Sequence, residues 1–219
     1  MPLAPVETDR QTLSEVVHAR LLDAICAGEL APGESLVQER LAETLGVSRQ
    51  PVLQALAMLR RDGFVEPAGR RGYRVTVLTD ETVGQVYELR GALDRLAAGA
   101  AARRAGPDAK ARLEAVMAEG EAALADGDTR RLIEADVAFH QAIYKLARNP
   151  LVEEAAAQPW RHIRRVMGLV LRETRSRRAV WDEHRRIVDA ILAGDVTAAE
   201  EAASRHAAHA AERMLAQPA

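Results

Sequence analysis

At 219 residues the chain has room for two small domains, and 48% hydrophobic residues supply real cores. Only 3% of residues are aromatic and much of the apolar content is alanine, which suits close-packed helices and argues against a mostly β protein. The formal net charge of -2 makes any basic surface local, the lone Cys26 excludes an internal disulfide or a cysteine-based zinc finger, and no apolar run approaches the ~20 residues of a membrane span. The first residues, Met1-Pro2-Leu3-Ala4-Pro5, lack the basic start and apolar stretch of a signal peptide. The expected setting is cytoplasmic, with no membrane partner.

Residues 1–10 carry two prolines and no periodicity and read as a flexible arm. A helix over about 11–27 follows, with Val16, Val17, Ala19, Leu21, Leu22 and Ile25 on one broad stripe, ended by Gly28. Leu36 to Leu45 reads as a second, short helix stopped at Gly46. Ser48 is placed to cap a third, with Pro51 in its first turn and Gly63 as its stop. Residues 64–77 alternate in the strand manner around a basic loop, Pro67 to Gly72, and predict a two-stranded hairpin.

After Leu78 the pattern becomes helical throughout. Helices are expected over about 80–104, on to 125, 129–147, 151–175, 179–193 and 196–215, separated at Ala105-Gly106-Pro107, Asp126-Gly127-Asp128, Asn149-Pro150 and Gly194-Asp195. The fold class is therefore mostly α: an N-terminal winged helix-turn-helix (11–78) plus a C-terminal antiparallel helical bundle of about six helices (79–219).

The order helix, short helix, glycine turn, helix, hairpin is the layout of a winged helix-turn-helix. Gly46 can take the positive φ of the sharp turn, and the N-terminus of the next helix would enter the major groove. Charge agrees. Between Arg40 and Arg74, arginines 40, 49, 60, 61, 70, 71 and 74 face only Glu43, Asp62 and Glu66, whereas residues 1–39 are acidic. Positive charge thus gathers on the recognition helix and wing, where phosphates would lie.

Three stretches carry a family resemblance: Gly28-Glu29-Leu30-Ala31-Pro32-Gly33-Glu34, Leu41-Ala42-Glu43-Thr44-Leu45-Gly46-Val47-Ser48-Arg49, and Leu59-Arg60-Arg61-Asp62-Gly63-Phe64-Val65. Together they resemble the DNA-binding domain of GntR-family transcriptional regulators. The resemblance implies that Arg49 reads DNA, and an arginine–guanine fork is the commonest specific base contact. Arg40, Ser48, Gln50, Gln54 and the wing residues Arg70, Arg71 and Gly72 complete the expected DNA-binding set. The chain departs from the usual Ser-Arg-Thr-Pro-Val-Arg-Glu-Ala-Leu pattern with Gln50, Leu53 and Gln54, so its operator should differ from the commonest consensus, and Gln50 can read adenine.

In the second domain Asp136 and His140 are four apart on one predicted helix and share a face. His184 and His206 lie on two later helices. Three imidazoles and a carboxylate suit a divalent metal, although helical histidines are more often surface or satisfied core residues when judged from spacing alone. Glu88-Leu89-Arg90, Asp136-Val137-Ala138-Phe139-His140, Asn149-Pro150-Leu151, Glu183-His184-Arg185-Arg186-Ile187, Ala193-Gly194-Asp195 and the late His206 resemble the helical ligand domain, called FCD, of the FadR branch of this family. The resemblance implies a metal at Asp136, His140, His184 and His206: zinc first, with nickel, manganese or iron as alternatives. His209 is a second choice for the last ligand.

The resemblance also implies that Arg90 faces the cavity and pairs with a small organic acid effector; the alternative is a structural salt bridge with Glu88 or Asp94. Asn149 can cap a helix and touch the pocket, and His162 can line it or face solvent. The expected protein is a homodimeric regulator, a repressor released by a small carboxylate, acting on double-stranded operator DNA. A metalloenzyme leaves the winged helix unexplained. An architectural DNA binder leaves the ligand set unexplained.

Overall fold

The computed structural model describes residues 11–69, 72–170 and 174–216, and the side chains of 166, 168–170 and 174–176 are outside that description. The arm 1–10 and the wing residues Arg70 and Arg71 therefore lie outside the described residues. The chain divides into two compact units, Met1–Leu78 and Thr79–Ala219.

The first unit begins with α1 (Leu13–Ala27), whose start is fixed by a capping box: Thr12 accepts from the Glu15 N–H, and the Glu15 carboxylate accepts from the Thr12 N–H at 2.7 Å. Only part of the expected stripe is inside. Val17, Leu21 and Ile25 are buried, whereas Val16 is 47% exposed. The chain then forms a two-residue strand, β1 (Ser35–Leu36), where a helix start was expected at Leu36. The Leu36 side chain is buried as a strand residue, and α2 begins two residues later (Gln38–Leu45).

Gly46, at φ 64, makes the tight turn into α3 (Arg49–Arg61). Ser48 occupies the N-cap position with extended backbone, but its hydroxyl makes no capping bond. β2 (Val65–Ala68) and β3 (Gly72–Val75) follow, and the sheet order is β1-β3-β2, fully antiparallel. The expected two-stranded hairpin is thus a three-stranded sheet. Ser35 pairs with Arg74 and Leu36 with Tyr73, a long-range pairing with no turn signal beside it. Ile25, Leu36, Val52, Leu56, Leu59, Phe64 and Val75 form the core. Within it, His18 Nε2 lies 3.2 Å from Asp62 Oδ2, tying α1 to the end of α3.

The second unit holds α4 (Asp80–Arg104), α5 (Ala109–Asp126), α6 (Thr129–Ala147), α7 (Pro150–Val170), α8 (Thr174–Leu192) and α9 (Val196–Leu215). Thr79 caps α4, Asp128 caps α6 and Asp195 caps α9, each accepting backbone N–H groups of the first turn. α4 packs along α9 and also meets α6, α7 and α8. Its inner face of small residues, Ala97, Ala98 and Ala101, permits that close approach. α6 ends where Arg148 turns left-handed at φ 49. Asn149 does not cap α6: its side chain accepts the Leu151 N–H, in the first turn of α7. No helix among the described residues is long and apolar enough to cross a membrane.

Candidate metal centre

Four helices meet around the cluster. α6 contributes Asp136, His140 and Tyr144, spaced by four residues on one face; α8 contributes Glu183 and His184; α9 contributes His206; and α4 contributes Arg90 and Asp94. Asp136, His140, His184 and His206 are all buried, and one donor atom from each lies within 4.8 Å of the others.

The donors are held in ligand-ready form. His206 Nδ1 donates to Glu183 Oε2 at 2.9 Å, which leaves its Nε2 lone pair facing the cluster. His140 Nδ1 lies 3.5 Å from Asp94 Oδ2, so its Nε2 likewise faces inward. A carboxylate behind each of these two imidazoles fixes the tautomer and raises ligand basicity, the arrangement found behind metal-binding histidines. Phe139 stacks on the His184 ring with centroids 3.9 Å apart and holds that imidazole in place.

Burial sets the charge states. It pushes His140 down to about 4, assisted by the Arg90 charge and opposed by Asp94. It lowers His184 well below the ordinary imidazole value, with His206 and His140 adding to the effect. It also lowers His206, against the hydrogen bond to Glu183. Neutral imidazoles are the form that binds metal. Burial raises the Asp136 carboxyl, with Arg90 and His206 opposing. For Glu183 burial works upward too, but hydrogen bonds from His206, Arg213 and His209 prevail and hold it at about 2.

The residues present fit a cation on a direct observation. Asp136 Oδ2 and both ring nitrogens of His184 are buried and lack a hydrogen-bond partner. Such groups cost about 1–3 kcal/mol each when left unpaired, a cost that a bound cation removes.

Arg90 does two things at once. Its Nε donates to Asp94 Oδ2 at 3.0 Å, the salt bridge that the sequence offered as an alternative. Its Nη2 lies 2.6 Å from His140 Nε2 and 3.3 Å from His206 Nε2, where the two lone pairs converge. The guanidinium also stacks on Trp160, 4.4 Å from the ring centroid. Trp160 Nε1 donates to the Tyr144 hydroxyl at 2.8 Å, and that hydroxyl donates to Asp94 Oδ1. Beside the cluster, Tyr87, Arg90, Asp136, Met167, His206 and Arg213 border a cavity of about 40 Å3.

His209 is 46% exposed at its side chain and bonds Glu183, so it supports His206 from behind and does not join the four donors. Asn149 and His162 line neither described cavity. Arg165, one turn along α7 from His162, is buried. Tyr144 and Trp160 were not singled out from sequence, Asp94 entered only as a salt-bridge partner for Arg90, and Glu183 only as part of the motif around His184. The signal available for Glu183 was its place directly before His184.

In the first unit Arg40, Ser48, Arg49, Gln50 and Gln54 are exposed. Arg49 and Leu53, like Gln50 and Gln54, are one turn apart, so α3 presents one exposed surface that includes the 38%-exposed Leu53. Arg49 Nη1 lies 3.2 Å from Glu39 Oε1 of α2. Gly72 opens β3, where an added Cβ would lie 3.3 Å from the Ala68 carbonyl oxygen.

A winged helix-turn-helix followed by a helical domain with a buried His/Asp cluster defines a ligand-responsive DNA-binding regulator by class. Residues 13–75 match the model of bacterial regulatory proteins of the gntR family, and residues 85–209 match the FCD domain. The chain is similar to the HTH-type transcriptional regulator YieP of Escherichia coli (strain K12), 31% identical over 92% of this chain and 96% of that protein. It is also similar to a probable D-xylose utilization operon transcriptional repressor of Paenarthrobacter nicotinovorans, 28% identical over 91% and 87%. The solved structure of E. coli McbR/YncC shares the fold, with a TM-score of 0.77 at 22% identity, covering 91% of this chain and 95% of that one. The chain belongs to the GntR family of transcriptional regulators and carries an FCD ligand-binding domain. Its function is regulation of transcription and not catalysis.

Proposed function

We propose that the protein is a metal-containing repressor released from its operator by a small carboxylate. The observation that carries this reading is the buried convergence of Asp136, His140, His184 and His206, with Asp136 Oδ2 and both His184 ring nitrogens lacking a hydrogen bond and His184 Nε2 3.3 Å from Asp136 Oδ1. Three nitrogens and one oxygen suit zinc first, with nickel, manganese and iron as the alternatives. When bound, the ion supplies a Lewis-acidic position that a carboxylate can occupy. Arg90 selects the negative charge of that carboxylate. The adjoining cavity, about 40 Å3 in volume, favours a small carboxylate.

Arg49, Gln50 and Gln54 would read bases, with Arg40, Ser48 and the wing set Arg70, Arg71 and Gly72 on the backbone. Assignment as a repressor takes support from the D-xylose operon relative. A homodimer on a palindromic site follows from the way two-fold proteins read two-fold operators. Elemental analysis of purified protein tests the centre, and operator binding titrated with small carboxylates tests release. Protein that stays metal-free after incubation with zinc, nickel and manganese refutes the metal. A monomer by sedimentation, both free and on DNA, refutes the dimer.

A further inference from the structure

The second unit holds a larger cavity, of about 370 Å3, between α6 and α7. It falls within the roughly 300–1,000 Å3 of small-molecule sites. On α6 it is lined by Val137, Tyr144 and Lys145, one face of the helix. On α7 the small side chains of Ala156 and Ala157 open the space, Trp160 forms its floor, and Arg164 stands at its edge. Trp160 and Tyr144 are buried, whereas Lys145 and Arg164 are exposed. Of the described lining residues Glu153 is the one acid. An aromatic floor with cations at the rim fits a ligand that has a flat apolar body and one negative charge.

The floor of this cavity is also the wall of the metal centre. Trp160 carries the Arg90 guanidinium 4.4 Å from its ring and donates to Tyr144, which donates to Asp94, the acid behind His140. Pro159, just before Trp160, has no N–H for the carbonyl one turn earlier, so α7 lacks a ladder bond where the ring attaches. A ligand pressing on Trp160 and Tyr144 therefore bears on the two groups that hold His140.

We propose that the groove between α6 and α7 is a second ligand site, for a small aromatic or similarly flat organic anion, whose occupancy changes the affinity of the metal centre through Trp160 and Tyr144. The linkage half of this proposal rests on the metal reading above; the binding half does not. Benzoate is the probe, followed by calorimetry on the full chain, both zinc-loaded and after chelation. The expected result is saturable binding of one benzoate per chain in both forms, with unequal affinities, and a shift of zinc affinity by the same factor when benzoate is saturating.

Lys145→Glu with Arg164→Glu alters two exposed side chains, leaves the helical circular dichroism intact, and weakens benzoate by about tenfold or more. Tyr144→Phe keeps benzoate binding and brings the two affinities together. Benzoate binding that disappears on chelation and ignores the double charge reversal places the anion at the metal and overturns the second site. Non-saturable binding overturns it as well. A change of oligomeric state in the charge-reversal variant puts a second copy of the chain in the groove and overturns the small-molecule reading. Equal affinities with and without zinc, in protein shown to hold zinc, overturn the linkage alone. Failure to load any metal overturns the metal reading and leaves the benzoate result on chelated protein as the test of the site.

Discussion

Arg90→Ala separates the two tasks that Arg90 performs. Its salt bridge to Asp94 is almost wholly buried, at 2% and 3% side-chain exposure. Removing one partner of such a pair leaves an uncompensated charge and costs about 3–5 kcal/mol. At roughly 2–4 °C per kcal/mol for a chain of this size, the metal-free variant should melt on the order of 10 °C below wild type. Replacing both partners with apolar residues, Arg90→Met with Asp94→Leu, should recover part of that loss, because neither charge is then stranded while the Tyr144 hydroxyl and His140 Nδ1 lose their acceptor. The metal response runs the other way. In wild type, Arg90 Nη2 sits on the Nε2 lone pairs of His140 and His206 and competes with an ion for them. The variant should therefore gain more stability from added zinc than wild type does, since binding to the folded state adds to folding free energy. The assay is thermal and urea unfolding of all three proteins, with chelator and with zinc. A single variant within about 1 kcal/mol of wild type in chelator would refute the buried-pair argument. An equal zinc gain in both proteins would refute the competition.

Gly120→Ala should destabilise the helical unit, because a Cβ there would stand 2.0 Å from the buried Trp181 ring, a clash that a rigid, packed indole cannot relieve; an unchanged denaturation midpoint would remove the claim. Arg49→Ala should keep the fold, since its side chain is 67% exposed, and should lose about 1–3 kcal/mol of specific operator binding, read by gel shift against non-specific DNA. In chelator, stability should fall as pH drops from about 6.5 toward about 4. The unfolded histidines take up protons there that buried His140, held down at about 4, cannot accept, so the unfolded state binds more protons across that window. The depressed His184 and His206 act in the same direction, while the raised Asp136 carboxyl opposes them. Urea midpoints at pH 7.5, 6.5 and 5.5 that do not move would contradict the buried-neutral assignment.

The helices of the second unit were legible because their ends are written locally. Thr79, Asp128 and Asp195 each cap a first turn, and Gly127 and Gly194 take the left-handed turn that closes the helix before. The strand at Ser35–Leu36 was not legible, since its partner Tyr73-Arg74 is almost forty residues away and only the sheet makes two residues a strand. Periodicity alone gave the first helix too wide a stripe: Val16 faces out while His18, a polar residue by type, faces in to meet Asp62. The centre shows the same division. Spacing of four placed Asp136 with His140, and the motif resemblance brought in His184, His206 and Arg90. The supporting residues had no such mark. Asp94 lies four residues after Arg90 and reads from sequence only as a partner for an ordinary helical ion pair. What distinguishes it is the third dimension, where Tyr144, itself held by the Trp160 N–H, donates to its first oxygen and His140 leans on its second. Glu183 is the stronger case. A carboxylate that takes hydrogen bonds from His206, His209 and Arg213 on the neighbouring α9 fixes the orientation of one ligand ring and keeps its lone pair aimed inward. Glu183→Gln keeps the shape, gives up the charge and can offer His206 a donor where it needs an acceptor. Metal affinity should then fall about 10–100-fold with the four donors intact, measured by competition with a chromophoric chelator. Wild-type affinity in that variant would show that the α8–α9 contact is packing alone.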